Sequence, residues 1–181
     1  HWVDDEREME VVVSQGFTPL KPGAITAEGR VHGLLETPAD LGKIGTLVFG
    51  GFRKCAYEFQ KFHSDTERLM AIILEREARR WFRPLRGQLN IWYRQGVHEA
   101  EYVPDFVAAT AECHWLIETK RASDVASDEV QAKAAAGTTW CNHASNYSVR
   151  HGGLPWRYLL VPHTAVQVSA TLGGLAANHR W

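Results

Sequence analysis

Asp105, Glu118 and Lys120 interrupt two apolar runs in the stretch YVPDFVAATAECHWLIETK, residues 102–120. Apolar strands rarely take charges unless these are paired or hold something. Side chains alternate faces along a strand, which puts Glu118 and Lys120 on one face, roughly 7 Å apart. A hairpin turning between Ala111 and Glu112, with residues 110–113 as its loop, sets Asp105 opposite Glu118 on that same side. In this register Val107 faces Leu116 and Val103 faces Lys120, while Phe106 faces Ile117 on the other side. Both sides are apolar, so the pattern predicts a sheet covered on both faces.

Two carboxylates in such a setting repel unless one is protonated or a cation lies between them. Their hard oxygens, with room left for water, suit Mg²⁺ or Mn²⁺. An ammonium beside them would position an attacking water or offset negative charge developing at a phosphodiester. A purely structural ion network of the same three residues has the same spacing.

The elements that must position these groups are legible from Ser64 onward. SDTERLMAIILEREARRW has helical periodicity, with Met70, Ala71, Leu74, Ala78 and Trp81 on one face. Residues 88–94 read as a strand, and 102–109 and 114–120 as the strand pair above. A second helix runs from Ser127, with acids in its first turn, to a stop at Gly152-Gly153. Residues 156–162 form a short buried strand, and the tail from Ser169 suits a helix. Before Ser64 the chain is less legible. MEVVV, residues 9–13, reads as a strand, TPLKPGAITAEG as a loop, and residues 41–59 as apolar with β character broken by glycines.

The chain has 181 residues, enough for one domain with a sizeable core, or a domain and an appendage. Its net charge of −1 at pH 7 requires any basic surface to be local. Cys55, Cys113 and Cys141 lack paired C-x-x-C spacing, which argues against a disulfide framework or a zinc knuckle and suits a reducing, cytoplasmic setting. His143 near Cys141 and His114 beside Cys113 lack finger spacing too. No run reaches membrane-spanning length, and neither a signal-peptide pattern nor a P-loop is present. A start at His1 reads as a fragment of something longer, or a processed chain.

The stretch from LVFGGFRKC through FHSDTERLMAIILERE, YVPDFV and LIETK to WCNHAS and WRYLLVPH resembles the PD-(D/E)xK nuclease superfamily. Within it, the order and spacing are similar to the endonuclease domain at the C-terminal end of type III restriction enzyme nuclease subunits and related DEAD/DEAH-box helicases. The resemblance spans roughly residues 46–165. Arg121 departs from the Gly often found after the E-x-K lysine. Gln131 is followed by Ala135, so the Q-x-x-x-Y motif of RecB-type relatives is not carried over.

What the resemblance implies is an α/β fold of restriction-endonuclease-like architecture, a central mixed β-sheet with helices on both faces. Residues 46–181 would form the endonuclease domain, and residues 1–45 an N-terminal extension or a linker from a preceding domain. The activity would be Mg²⁺- or Mn²⁺-dependent hydrolysis of DNA. Asp105 and Glu118 would hold the metal with the Thr119 carbonyl, and Lys120 would orient the water. Glu67 would assist the metal or its water. Ser64 and Glu67 also make an S-x-x-E capping box, which places a Glu at the same position for another reason. Implied partners are DNA, a helicase/ATPase motor in the same full-length chain, and a methyltransferase or specificity subunit.

Arg76, Arg79, Arg80, Arg83, Arg86 and Arg94 gather around Trp81, Phe82 and Trp92. On a nuclease, Arg79, Arg80, Arg83, Arg86 and also Lys133 are candidates to track phosphates; a solvated helix face partly neutralised by Glu75 and Glu77 has the same composition. Two other readings stay open, a non-catalytic DNA-binding or docking module of the same fold and a transposase-type nuclease.

Overall fold

The structure is a computed structural model that describes residues 16–181. The strand expected at residues 9–13 lies outside the described residues. The fold is a mixed α/β arrangement around a four-stranded sheet with strand order β3-β6-β7-β8. Its strands are β3 (Arg80–Phe82), β6 (Phe106–Ala109), β7 (His114–Lys120) and β8 (Trp156–Pro162). β3 and β7 run antiparallel to β6, while β8 runs parallel to β7. Two smaller pairs flank this sheet. β1 (Val31–Gly33) lies parallel to β2 (Val48–Gly50), and β4 (Ile91–Gln95) forms a hairpin with β5 (His98–Tyr102).

Helix α1 (Asp65–Glu77) starts where the capping signals place it. The Ser64 hydroxyl accepts from the Glu67 N–H at 3.2 Å, and Asp65 and Glu67 occupy the first turn. It ends sooner than the periodicity suggests. Trp81, expected on the helix face, lies in β3 instead. Arg79 N–H donates to the Ala109 carbonyl at 2.8 Å and Trp81 N–H to Lys54 at 3.0 Å, so sheet partners displace helical ones. The indole is fully buried all the same, with its Nε1 donating to Glu75 at 2.8 Å.

Period two sorts the central sheet into two faces. Trp81, Phe106, Trp115, Ile117 and Leu159 meet α1 and the short α3 (Leu172–His179) on one side. Val107, Leu116, Tyr158 and Leu160 meet α2 (Asp128–Arg150) and the β4–β5 hairpin on the other. Each face thus carries a helix, which explains why the strands are apolar on both sides. Leu34 and Ile44, which precede residue 46, belong to the same core as Phe49 and Phe62, while most of residues 31–45 are exposed. A 3₁₀ turn at Leu41–Thr46 takes up part of the stretch expected to have β character.

The strand expected at 102–109 is broken. β5 ends at Tyr102, having paired with β4 across the Gly96-Val97 turn, where Gly96 takes φ +62°. Pro104 has no N–H to give a ladder. β6 begins only at Phe106, so Val103 does not face Lys120. Among the described residues no helix is long and apolar enough to cross a membrane.

Candidate active site

Phe106 pairs with Ile117, Val107 with Leu116 and Ala109 with His114, and the ladder stops there, with Asp105 just before its first residue. β7 outruns β6 by three residues, Glu118 to Lys120. The Asp105 side chain fills the place of the missing strand. Its Oδ2 accepts both the N–H and the hydroxyl of Thr119, each at 2.8 Å. The carbonyl of a strand residue points to the same edge as its N–H, so the Thr119 carbonyl is directed to Asp105's side.

Glu118 is 4% exposed, on the α2 face of the sheet. Its Oε1 takes the Lys120 ammonium at 2.8 Å, and its Oε2 takes the Tyr102 hydroxyl at 3.1 Å. Burial and then the nearby Asp105 charge push its carboxyl up to about 7, against the pull of Lys120 and Tyr102. Asp105 is also raised, by burial and then by Glu67, with Arg83 and the Thr119 bonds opposing. Burial pulls Lys120 down, but the Glu118 charge and hydrogen bond outweigh it and the ammonium is held above its ordinary value. Tyr102 and Tyr158 are both raised, by burial first and by Glu118 next.

Glu67 serves its cap and faces the site at once. Its Oε2 accepts from the His63 N–H at 2.8 Å, one residue before the Ser64 N–H that the capping box predicts. The same oxygen receives Arg83 Nη1 at 2.6 Å. Arg83 leaves the end of β3 and is only 12% exposed in its side chain. It also donates to the carbonyls of Lys61 and Asp105, and it lies over the rings of Phe62 and Phe106. Arg83 therefore bridges two acids of the site and is not on a solvent face.

The other basic residues separate. Arg79 and Arg80 are exposed at the Ala109 end of β3, away from Asp105. Arg76 holds the carbonyls of Val168 and Ala170 and pairs with Glu77. Arg86 pairs with Glu101, and Lys133 with Glu129 over the Tyr93 ring. Glu67, Arg83, Asp105, Glu118, Lys120 and Lys133 share one open cleft of about 420 Å³. A smaller hollow of about 120 Å³ lies at the far edge, by Trp156 and Trp181.

Among the described residues no three or more His, Cys, Asp or Glu side chains are grouped to hold a metal ion. Mg²⁺ asks for less than that, since one or two carboxylates, with waters completing its shell, ordinarily suffice. Glu118, buried, and Asp105, partly buried, supply two hard carboxylates whose mutual repulsion a cation would relieve, and the Thr119 carbonyl offers a third oxygen. The donor set fits. Glu67 is already committed to Arg83 and the cap. Tyr102 and Tyr158 were not singled out by sequence spacing; period two along β8, with Tyr158 level with Leu116, is the signal that finds the second.

No family model matches the sequence, and no match is found among curated proteins or solved structures.

Proposed function

We propose that this chain is a metal-dependent nuclease module of the PD-(D/E)xK type, with restriction-endonuclease-like architecture, that hydrolyses DNA phosphodiester bonds. The observation that carries the reading is the gathering of Asp105, Glu118 and Lys120 in one open cleft where β6 begins, with Asp105 bonded to Thr119 and Lys120 to Glu118. Lys120 is 30% exposed in its side chain and sits where it can hold a water and counter charge at the scissile phosphate. Bound Mg²⁺ or Mn²⁺, held by Asp105, Glu118 and the Thr119 carbonyl, would supply Lewis-acid stabilisation of the phosphate oxygens. Glu67 and Arg83 fix the Asp105 side of the cleft, and Lys133 and Arg86 offer cations at its rim. A cytoplasmic location, a helicase motor in the same full-length chain and a methyltransferase or specificity subunit accompany this reading.

A second reading rests on one observation. Every acid of the site has an internal partner, Arg83 for Glu67, Thr119 for Asp105, Lys120 and Tyr102 for Glu118. That completeness suits a DNA-binding or docking module in which the network is only structural. Mn²⁺-dependent thermal stabilisation, measured in the chain and in Asp105→Ala, separates the two. Stabilisation lost in the variant supports the nuclease; none in either supports the docking module.

A further inference from the structure

A chain of buried hydroxyls runs from β8, at the edge of the sheet, to Glu118 on β7. Tyr158 on β8 lies 2.8 Å from the Tyr102 hydroxyl, and Tyr102 lies 3.1 Å from Glu118 Oε2. Both phenols are buried, at 2% and 3% exposure. A phenol has one proton to give. Tyr102 spends it on the Glu118 carboxylate, so the Tyr158 hydroxyl must donate to Tyr102. The direction Tyr158 to Tyr102 to Glu118 follows.

The far end of this chain is fixed by packing. Gly137 on α2 faces the Tyr158 ring so closely that a Cβ there would lie 2.5 Å from Cε2. The helix backbone thus rests on the ring, and the ring cannot slide. At the near end Glu118 Oε1 is held by Lys120. The carboxylate is therefore gripped at both oxygens, by an ammonium from its own strand and a phenol from the end of β5.

We infer that Tyr102, backed by Tyr158, is a positioning residue that presets the Glu118 carboxylate for a divalent cation. The inference rests on the reading of Asp105 and Glu118 as the metal ligands. A ligand held by an outer hydrogen bond loses less freedom when the ion arrives, and loss of such a bond typically weakens metal binding by roughly 10- to 100-fold. Phe at either tyrosine keeps the ring and removes only the hydroxyl.

The test is Mn²⁺ binding, followed by the electron paramagnetic resonance signal of the free ion. It compares the unaltered chain with Tyr102→Phe, Tyr158→Phe, Tyr93→Phe and Glu118→Gln, with melting of each metal-free protein recorded in parallel. Tyr93 packs in the same core cluster but lies outside the hydroxyl chain. The expected result is a dissociation constant raised roughly 10-fold or more by Tyr102→Phe, less by Tyr158→Phe, and not by Tyr93→Phe. An unchanged constant in Tyr102→Phe, or an equal loss in Tyr93→Phe, overturns the positioning role. Failure of the metal site itself shows elsewhere, as no Mn²⁺ uptake by the unaltered chain or full uptake by Glu118→Gln, and overturns the inference with it.

Discussion

Arg83 Nη1 reaches Glu67 Oε2 at 2.6 Å and ties the end of β3 to the first turn of α1. The same guanidinium bonds the Asp105 backbone carbonyl at 3.3 Å. A sequence-distant pair thus fixes the start of β6 relative to the helix. Glu67 is 7% exposed, so the pair is largely removed from water.

Breaking that pair should be costly. Glu67→Gln keeps an acceptor for the His63 N–H but removes the nearer of the guanidinium's two countercharges, leaving Asp105 Oδ1 at 3.8 Å. A loss of about 2 kcal/mol is expected, below the roughly 3–5 kcal/mol of a fully buried pair because the cleft is open and Asp105 remains beside Arg83. Urea unfolding of Glu67→Gln, Arg83→Gln and the double variant should show strong coupling. Additive losses would mean that the two residues act separately.

The basic residues should fall into three kinds. Arg86 and Lys133 line the cleft, so Arg86→Gln with Lys133→Gln should flatten the salt dependence of DNA binding. The log–log slope should fall by about 0.9 for each phosphate left without its cation. Arg79→Gln with Arg80→Gln should change neither slope nor stability, because both are exposed and turned away from Asp105. Arg83→Gln should lower stability and leave the slope alone. Fluorescence anisotropy across a salt series, with urea melts, checks all three. A slope that falls only in the Arg79, Arg80 pair would put the DNA on another face.

Stability without metal should depend on pH through Glu118. Its carboxyl is raised from 4.5 to about 7 in the folded protein, by burial and then Asp105. The folded state therefore binds the proton more tightly than the unfolded chain. Its contribution is fully present below the unfolded value and is lost as pH rises through about 7. The size is on the order of a few kcal/mol. Glu118→Gln should remove this decline, and Mn²⁺ should stabilise the parent more at pH 8 than at pH 5 because binding must displace the proton. Melting curves from acid to mildly alkaline pH test this; a parent that grows more stable from pH 5 to 8 without metal would contradict it.

The register of Phe106 with Ile117 and Val107 with Leu116 was readable because an apolar alternation and a short turn leave few ways to close a hairpin. Helix α2 and strand β8 announced themselves by caps, glycines and an unbroken apolar run. Trp81 misled because helical spacing continues past Glu77, while only backbone partners far along the chain, at Ala109 and Lys54, decide that a strand begins. The break at Val103–Pro104 was hidden for a similar reason, since β5 is polar and takes its place from pairing with β4. Arg83 could not be told from its neighbours by sequence. Its burial depends on Glu67, Lys61 and Asp105 converging from three segments.

The central claim is that the Asp105, Glu118 and Lys120 groups hydrolyse DNA, and single-turnover cleavage with Mn²⁺ tests it most directly. The chain, its Asp105→Ala form and its Lys120→Ala form are compared at saturating enzyme, with Mn²⁺ affinity measured beside each. Lys120 acts on charge that develops in the transition state, so its loss should lower the rate constant by roughly 10²- to 10³-fold while Mn²⁺ still binds. Asp105→Ala should be inactive and should lose Mn²⁺ affinity. An inert parent chain, or Asp105→Ala that cuts at the parent's rate, would contradict the account.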